Sequence, residues 1–231
     1  MSDEHSSTTP FDQWAADGLD AAMEAEHGDV VRQVLERLEL RPGEQILDLG
    51  CGNGWATRLL ARASPGATAV GIDVSPAMVA RADELHSFTI RARYEVAAFE
   101  ALPFGDARFD RAFSMEALYY AADLDQALAE VLRVLKPGAP LDVVVDYFKE
   151  SPQTESWECA FGVPVLWLGQ EEWGRRLEQA GFTDVRFERV VDRRGPGEEA
   201  DFEPSHCYAD YATWRAIREA GSLWIHGRRP A

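Results

Sequence analysis

The sequence predicts an α/β fold in which a parallel sheet is covered by helices on both faces. Three observations carry the prediction. Short apolar runs alternate with amphipathic helical segments along most of the chain. The first apolar run leads directly into a glycine-rich turn and then a helix, in ILDLGCGNGWATRLLA from Ile46 to Ala61. With 231 residues, 46% of them hydrophobic, the chain is long enough to bury such a sheet on both sides.

The elements follow in order. Residues 1–9 are polar and read as an unpacked tail. From Pro10 to about Gly28 an amphipathic segment carries Phe11, Trp14, Leu19 and Met23. In GDVVRQVLERLEL (28–40), Val30, Val31, Val34, Leu35 and Leu38 share one helical face, and Arg41-Pro42-Gly43 stops the helix. QILDLG is the first strand and WATRLLARA a helix. TAVGIDVS is the second strand, after which Ser75-Pro76 opens a helix over PAMVARADEL with proline in its first turn. RYEVAAF is the third strand, LPFGDARF a loop and DRAFSMEA the fourth strand. DLDQALAEVLRVL is a helix that starts at an Asp cap and ends at Lys136-Pro137-Gly138, and PLDVVVDYF is the fifth strand. Residues 149–169, rich in Trp and Phe, read as a loop or lid. A helix in QEEWGRRLEQAG stops at Gly181, and TDVRFERVVD is the sixth strand. A polar loop, an extra helix in CYADYATWRAIREAG and a last strand in SLWIHGRR complete the chain.

Composition narrows the functional classes. The formal net charge is −17, from 40 acidic and 23 basic residues, so the surface repels phosphate backbones and anionic lipid. Nucleic acid and membrane are therefore not expected partners. Of the basic residues only Lys136 and Lys149 are lysines; the other 21 are arginines. Two explanations stand side by side: solubility in a high-salt cytoplasm, or a genome that favours arginine codons. The three cysteines, Cys51, Cys159 and Cys207, lie far apart with no CxxC, which fits a reducing compartment. The start MSDEHSSTTP is acidic and polar and is not expected to be a signal peptide, and no apolar run approaches the ~18 residues of a membrane span. A cytoplasmic monomer or homodimer is expected. His5, His27, His86, His206 and His226 show no metal-ligand spacing, so no metal is expected.

The glycine turn raises the question of which ligand it holds. A pyrophosphate-binding turn reads GxGxxG. Here Gly50, Gly52 and Gly54 give GxGxG, with the third glycine one position early. Asp48 stands two residues before the first glycine, where a carboxylate repels pyrophosphate but suits a ligand with ammonium or sulfonium groups. Asp73 closes the second strand 19 residues after Gly54, where an acid accepts hydrogen bonds from ribose hydroxyls.

Together Asp48, GCGNG and GIDVS resemble the class I S-adenosylmethionine-dependent methyltransferases. ALPFGDARFD resembles the family's loop before strand four, LRVLKPGAPL its approach to strand five, and LEQAGFTDVRFE its following helix and strand. The resemblance covers about residues 28–192 and, more weakly, the last strand, and lies nearest to the small-molecule branch that includes quinone-biosynthesis methyltransferases. It implies a Rossmann-like, doubly wound seven-stranded sheet of order 3-2-1-4-5-7-6 with the last strand antiparallel. The chain then divides into a tail and cofactor-closing segment at 1–27 and a methyltransferase domain at 28–231 with the lid at 149–169; it departs from the family in a long insert of about residues 193–221 between the last two strands.

The resemblance assigns S-adenosyl-L-methionine as cofactor and gives each residue a role. Gly50, Cys51, Gly52 and Gly54 would bring the backbone to its methionine part and ribose. Asp48 would bind the methionine end, Asp73 the ribose, and Val74 and Met78 would flank the adenine. Ser114 and Met115 would line the methionine side, while Trp14 with Phe11 would close over the ligand, and His27 could reach the site. Many members carry an acid for the adenine amino group where this chain has Ala98. Phe99 could instead stack on the ring and offer its backbone N–H, or Glu100 could replace the acid. Glu116 and Tyr119 are expected to face the methyl acceptor. They are also candidate bases, along with Asp146 and His206. Trp157, Phe161, Trp167, Phe202 and Tyr208 in the lid and insert suggest a pocket for a flat or apolar small molecule. A nicotinamide-dependent oxidoreductase would need the absent GxGxxG spacing. The remaining alternative is a non-catalytic cofactor-binding protein that keeps the fold.

Overall fold

The structure is a computed structural model. It describes residues 10–18, 20–87, 89–205 and 207–231, with the side chains of residues 17, 20, 21, 160 and 161 left out of the description. Leu19, His5 and His206 lie outside the described residues, as does the side chain of Phe161.

One sheet of seven strands organises the molecule: β1 (Gln45–Leu49), β2 (Thr68–Asp73), β3 (Ala92–Val96), β4 (Arg111–Met115), β5 (Pro140–Val145), β6 (Thr183–Val190) and β7 (Ser222–Arg228). Its order is β3-β2-β1-β4-β5-β7-β6. The first five strands run parallel, and β7 is antiparallel to both β5 and β6. Both the order and the reversed last strand are those expected.

The helices are α1 (Pro10–Asp17), α2 (Asp20–Arg37), α3 (Trp55–Leu60), α4 (Pro76–Glu84), α5 (Leu124–Val134), α6 (Trp157–Phe161), α7 (Gln170–Ala180) and α8 (Tyr211–Ala220). Local sequence explains their ends. Ser75 caps α4 by accepting the Met78 N–H at 3.1 Å, with Pro76 at the first turn. Asp123 caps α5 and Asp210 caps α8 in the same way, and Gly181 ends α7 at φ 101°. Two boundaries differ from expectation. The segment before residue 28 is helical, and α2 runs from Asp20 straight through His27 and Gly28, so a break after residue 27 falls inside a helix. Residues 149–169 also contain the short helix α6 in place of a wholly irregular lid.

The sheet separates two apolar layers. On one side Leu47, Leu49, Val143 and Ile225 pack with Leu124, Leu128 and Val131 of α5 and Trp173 and Leu177 of α7. On the other, Ile46, Phe113 and Val144 pack with Val30, Val31 and Val34 of α2 and with Trp55 and Leu60 of α3. Adjacent residues of β1 are therefore buried on opposite faces of the sheet, which is why QILDLG is mainly apolar and does not alternate with exposed polar residues. The direction of chain winding reverses between β1 and β4, so the loops after these strands diverge and leave a crevice at their carboxyl ends.

Trp173 is fully buried in the first layer. Trp173→Ala is expected to lower unfolding stability by about 3–5 kcal/mol, measured by urea denaturation.

Candidate active site

The crevice is a single cavity of about 550 Å³. Its wall runs from the glycine turn and the end of β2, past the residues after β3 and β4, to α1, the first half of α2, and the insert before α8.

The glycine turn is hooked onto β2. The N–H groups of Gly50 and Cys51 both donate to the Ile72 carbonyl, at 2.9 and 2.8 Å. Gly52 N–H donates to Asp73 Oδ2 at 2.9 Å, and Ser75 N–H donates to Asp73 Oδ1 at 2.9 Å. Burial raises the Asp73 carboxyl above its ordinary range, outweighing those N–H donors. The three glycines do different work. At Gly50 (φ 72°) a Cβ would lie 2.2 Å from the Ala117 Cβ, so the turn and the segment after β4 meet there. At Gly54 (φ 77°) a Cβ would lie 2.4 Å from the Tyr94 ring. At Gly52 (φ 51°) a Cβ would meet nothing within 4 Å, and this residue lines the cavity. The turn thus offers an open cradle beside the Asp73 carboxylate, and these residues fit a nucleoside with a cationic amino-acid arm.

Most of the expected cofactor residues line the cavity: Trp14, Gly50, Cys51, Gly52, Asp73, Val74, Met78, Ala98, Phe99, Glu100 and Met115. Burial, with Asp73 and Asp48 nearby, holds the Cys51 thiol well above its usual pKa. Glu100 is already engaged: its Oε1 accepts the Asp123 N–H at 3.1 Å, at the start of α5. β3 ends at Val96, so Ala97, Ala98 and Phe99 leave the sheet and turn along the cavity wall.

Three expectations are corrected in position. Ser114 does not line the cavity; it is fully buried within the sheet, where its Oγ donates to the Leu49 carbonyl at 3.2 Å. Asp48 is 1% exposed behind the turn, and its Oδ2 accepts the Thr57 hydroxyl of α3 at 2.5 Å. Burial raises its pKa to about 7. Gly54 faces Tyr94 and the start of α3 instead of the cavity.

The far end of the cavity holds a buried polar cluster in an aromatic setting. Glu116 has φ 50°, a left-handed backbone conformation that turns the chain sharply after β4. Its Oε2 accepts the Tyr119 hydroxyl at 2.9 Å, and its Oε1 accepts the backbone N–H of Asp146. Burial and the Asp146 charge push the Glu116 pKa up to about 8. His27 Nδ1 lies 3.4 Å from Asp146 Oδ2. Burial alone would lower the His27 pKa, but Asp146, Glu116 and Glu26 outweigh it and raise the value. Glu116, Tyr119 and His27 line the cavity, whereas Asp146 stands just behind them.

Around this cluster Phe11 makes edge contacts with Trp14 and Tyr120 at 5.2 Å, and Trp14 meets Tyr120 at 6.0 Å. Trp157 from the lid donates its indole N–H to the Cys207 carbonyl at 2.8 Å and packs edge-on against Tyr208 at 5.5 Å. Trp157, Ser205, Cys207 and Tyr208 line the cavity. Trp167 packs on the core instead, and Phe202 faces a smaller acidic cavity of about 300 Å³. Asp12 went unnoticed in the sequence. It accepts the Ser75 hydroxyl at 2.5 Å and so ties α1 to the cap of α4. An acid one residue after Phe11 gives no signal until α4 is seen beside it.

Among the described residues no three His, Cys, Asp or Glu side chains converge to hold a metal ion, and no helix is long and apolar enough to cross a membrane.

A seven-stranded sheet of this order, with a ligand cavity at its switch point, defines a doubly wound nucleoside-cofactor fold. The Methyltransferase domain family matches residues 46–138. The chain is 32% identical to the O-methyltransferase resE of Aspergillus sclerotiorum over 190 residues, which cover 79% of this chain and 71% of the relative. It is 42% identical over 108 residues to the 2-methyl-6-phytyl-1,4-hydroquinone methyltransferase of Synechocystis, covering 47% of this chain and 33% of that one. Its fold matches the methyltransferase in a complex with the Haloferax volcanii Trm112 methyltransferase activator, with a TM-score of 0.86 and 31% identity over 96% of this chain and 98% of that one. The chain belongs to the class I S-adenosylmethionine-dependent methyltransferases, and S-adenosylmethionine is its cofactor.

Gly52→Ala is expected to fold, at a backbone cost of about 1–2 kcal/mol, while its S-adenosylmethionine affinity drops at least about tenfold because the methyl group fills the cradle. Gly50→Ala is expected to lose more stability because it collides with Ala117. Thermal melts and titration calorimetry on both variants check the pair.

Proposed function

We propose that this methyltransferase acts on a small-molecule acceptor held in the same cavity as the cofactor. The observation that carries the reading is that the cavity continues past the glycine turn and Asp73 into a wall of Phe11, Trp14, Tyr119, Tyr120, Trp157 and Tyr208. A cavity of about 550 Å³, walled mainly by aromatic and aliphatic groups with polar side chains at its two ends, suits an apolar metabolite better than a polymer. The hydroquinone and O-methyltransferase relatives support the same class.

Bound S-adenosylmethionine supplies an activated methyl group for in-line displacement by the acceptor's nucleophile. The protein's part is to bind, align and exclude water. In this reading Asp73 takes the ribose hydroxyls and the turn from Gly50 to Gly52 takes the amino-acid arm. Val74, Met78 and Phe99 enclose the base, and α1 covers it. Asp48, from behind the turn, stabilises the methionine end through the turn itself. Glu116 and Tyr119 form the polar floor on the acceptor side. Alignment of this kind is worth up to ~7–11 kcal/mol of the barrier, and a dry cavity favours a step in which charge is neutralised.

Calorimetry with S-adenosylmethionine and a screen of metabolites with isotopically labelled cofactor test the proposal. Transfer of label to small molecules supports it. Tight cofactor binding with transfer to no small molecule sinks it in favour of a non-catalytic role. Ala98→Asp is expected to tighten cofactor binding by about 10-fold or more, since a charge-assisted hydrogen bond contributes ~1.5–3 kcal/mol. Unchanged or weaker binding assigns the adenine contact to Glu100 instead.

We also infer a high-salt setting from the net charge of −17 and the two lysines. The melting temperature is expected to rise between low and molar KCl; a flat profile leaves codon usage as the explanation.

A further inference from the structure

We propose that His27, oriented by Asp146, accepts a proton from the acceptor, and that the acceptor is therefore a hydroxyl compound, a phenol or enol on an apolar body. This rests on the methyltransferase reading above and adds the acceptor atom to it.

The argument is one of elimination at the cavity's polar end. Both oxygens of Glu116 are already committed, one to the Asp146 N–H and one to the Tyr119 hydroxyl. Burial, with the Glu116 charge beside it, holds the Tyr119 phenol well above its usual pKa, so it stays a donor. The Cys207 thiol is pushed up to about 12 by burial and by Glu26 and Glu116. Asp146 lies off the wall. His27 is on the wall and 4% exposed, with one ring nitrogen beside a carboxylate: Nδ1 is 3.4 Å from Asp146 Oδ2, an ion-pair contact, and makes no hydrogen bond. The opposite nitrogen, Nε2, is 3.9 Å from Glu26 Oε2, beyond hydrogen-bonding distance. A carboxylate 3.4 Å from Nδ1 favours the proton on that nitrogen and so leaves Nε2 as the acceptor.

The fold also holds His27 in place from outside. Arg194 donates to the carbonyls of Ala25 and Glu26 at 2.6 and 2.8 Å, and Arg218 donates to Glu26 O at 3.2 Å. Both arginines are anchored on Asp192, whose carboxyl they hold at about 2 against the effect of burial. The insert thus clamps the turn of α2 that carries His27. The groups facing the imidazole are Glu26 from its own helix, Glu116 after β4, Asp146 after β5, Arg218 of α8, and Cys207 and Tyr208 of the insert.

The step balances. The acceptor O–H bond breaks, its proton goes to His27 Nε2, and its electron pair forms the new O–CH3 bond as the sulfonium becomes a thioether. The imidazolium, stabilised by Asp146, then returns the proton to solvent. An acceptor without a dissociable proton would have no use for this pair.

Imidazole NMR on the protein saturated with S-adenosylhomocysteine tests the pair, with His27→Gln identifying the signal. The expected result is a midpoint above the ordinary histidine value and an Nδ1–H tautomer once deprotonated. In Asp146→Asn the midpoint should fall and the tautomer preference should be lost. A midpoint indifferent to Asp146→Asn overturns the pair. The hydroxyl class is tested with 4-nitrophenol, whose ionised form absorbs in the visible. At pH 6–7 the wild-type complex should hold at least about tenfold more bound phenolate than His27→Gln. Equal phenolate in both, or no binding of the probe, overturns it. Should His27→Gln fail to fold, Asp146→Asn carries the comparison. Calorimetry with S-adenosylhomocysteine separates the two levels. Retained binding with a failed pair rejects this inference alone, whereas no binding rejects the methyltransferase reading beneath it.

Discussion

The site depends on one small attachment: the turn after β1 is pinned to the end of β2. Gly50 and Cys51 share the Ile72 carbonyl, and Gly52 donates to the Asp73 carboxylate. This fixes the position of the open cradle at Gly52 and, with Ala117 packed against Gly50, the approach of the chain leaving β4. The same Asp73 receives the Ser75 N–H and so sets the start of α4, whose cap in turn holds α1 through Asp12. Floor, side and cover of the cavity are therefore linked through a single carboxylate and the hydroxyl next to it.

Two buried clusters of acid, base and histidine show how similar side chains serve different ends. Asp142 on β5 accepts from Arg111 at 2.6 Å and from Trp224 at 3.0 Å, and lies 2.9 Å from His226 Nδ1. Burial would raise its pKa, but His226 and Arg111 outweigh this and hold it low. That carboxylate is saturated within the sheet and makes a structural ion cluster. The cluster of His27, Asp146 and Glu116 borders the cavity instead, with Arg218 near enough to help hold Asp146 low. One imidazole serves two carboxyls, so Asp146 is held low while Glu116 is driven up. Such a split between neighbouring acids is a mark of a working site.

Much of this was legible in the chain. The strands of the parallel core were readable because β1, β4 and β5 are buried almost throughout and are short, mainly apolar runs with one or two polar residues in each. Caps at Ser75, Asp123 and Gly181 are local chemistry and were readable for that reason. The family motifs led to Gly50, Gly52, Asp73, Val74, Met78 and Met115, which do meet on one cavity. Ser114 and Asp48 were misplaced because alternation along a strand and the packing of the next helix decide which way a side chain points. Motif position alone does not. Trp167 and Phe202 look no different from Trp157 and Tyr208 in sequence, and only the path of the lid and insert separates core packing from cavity wall.

The sequence by itself determined the strand and helix pattern and the glycine turn, because these rest on periodicity and on contacts between near neighbours in the chain, and its motifs carried the family resemblance that implies the cofactor. Tertiary structure alone decided how the polar end of the cavity is assembled. Glu116, Asp146 and His27 come from the ends of two strands and the middle of the second helix, and the insert near residue 194 holds the last of them in place. Their chemistry arises from distance and burial between segments far apart in the chain, with His27 and Asp146 on different elements of the fold, information that no local stretch of the chain contains.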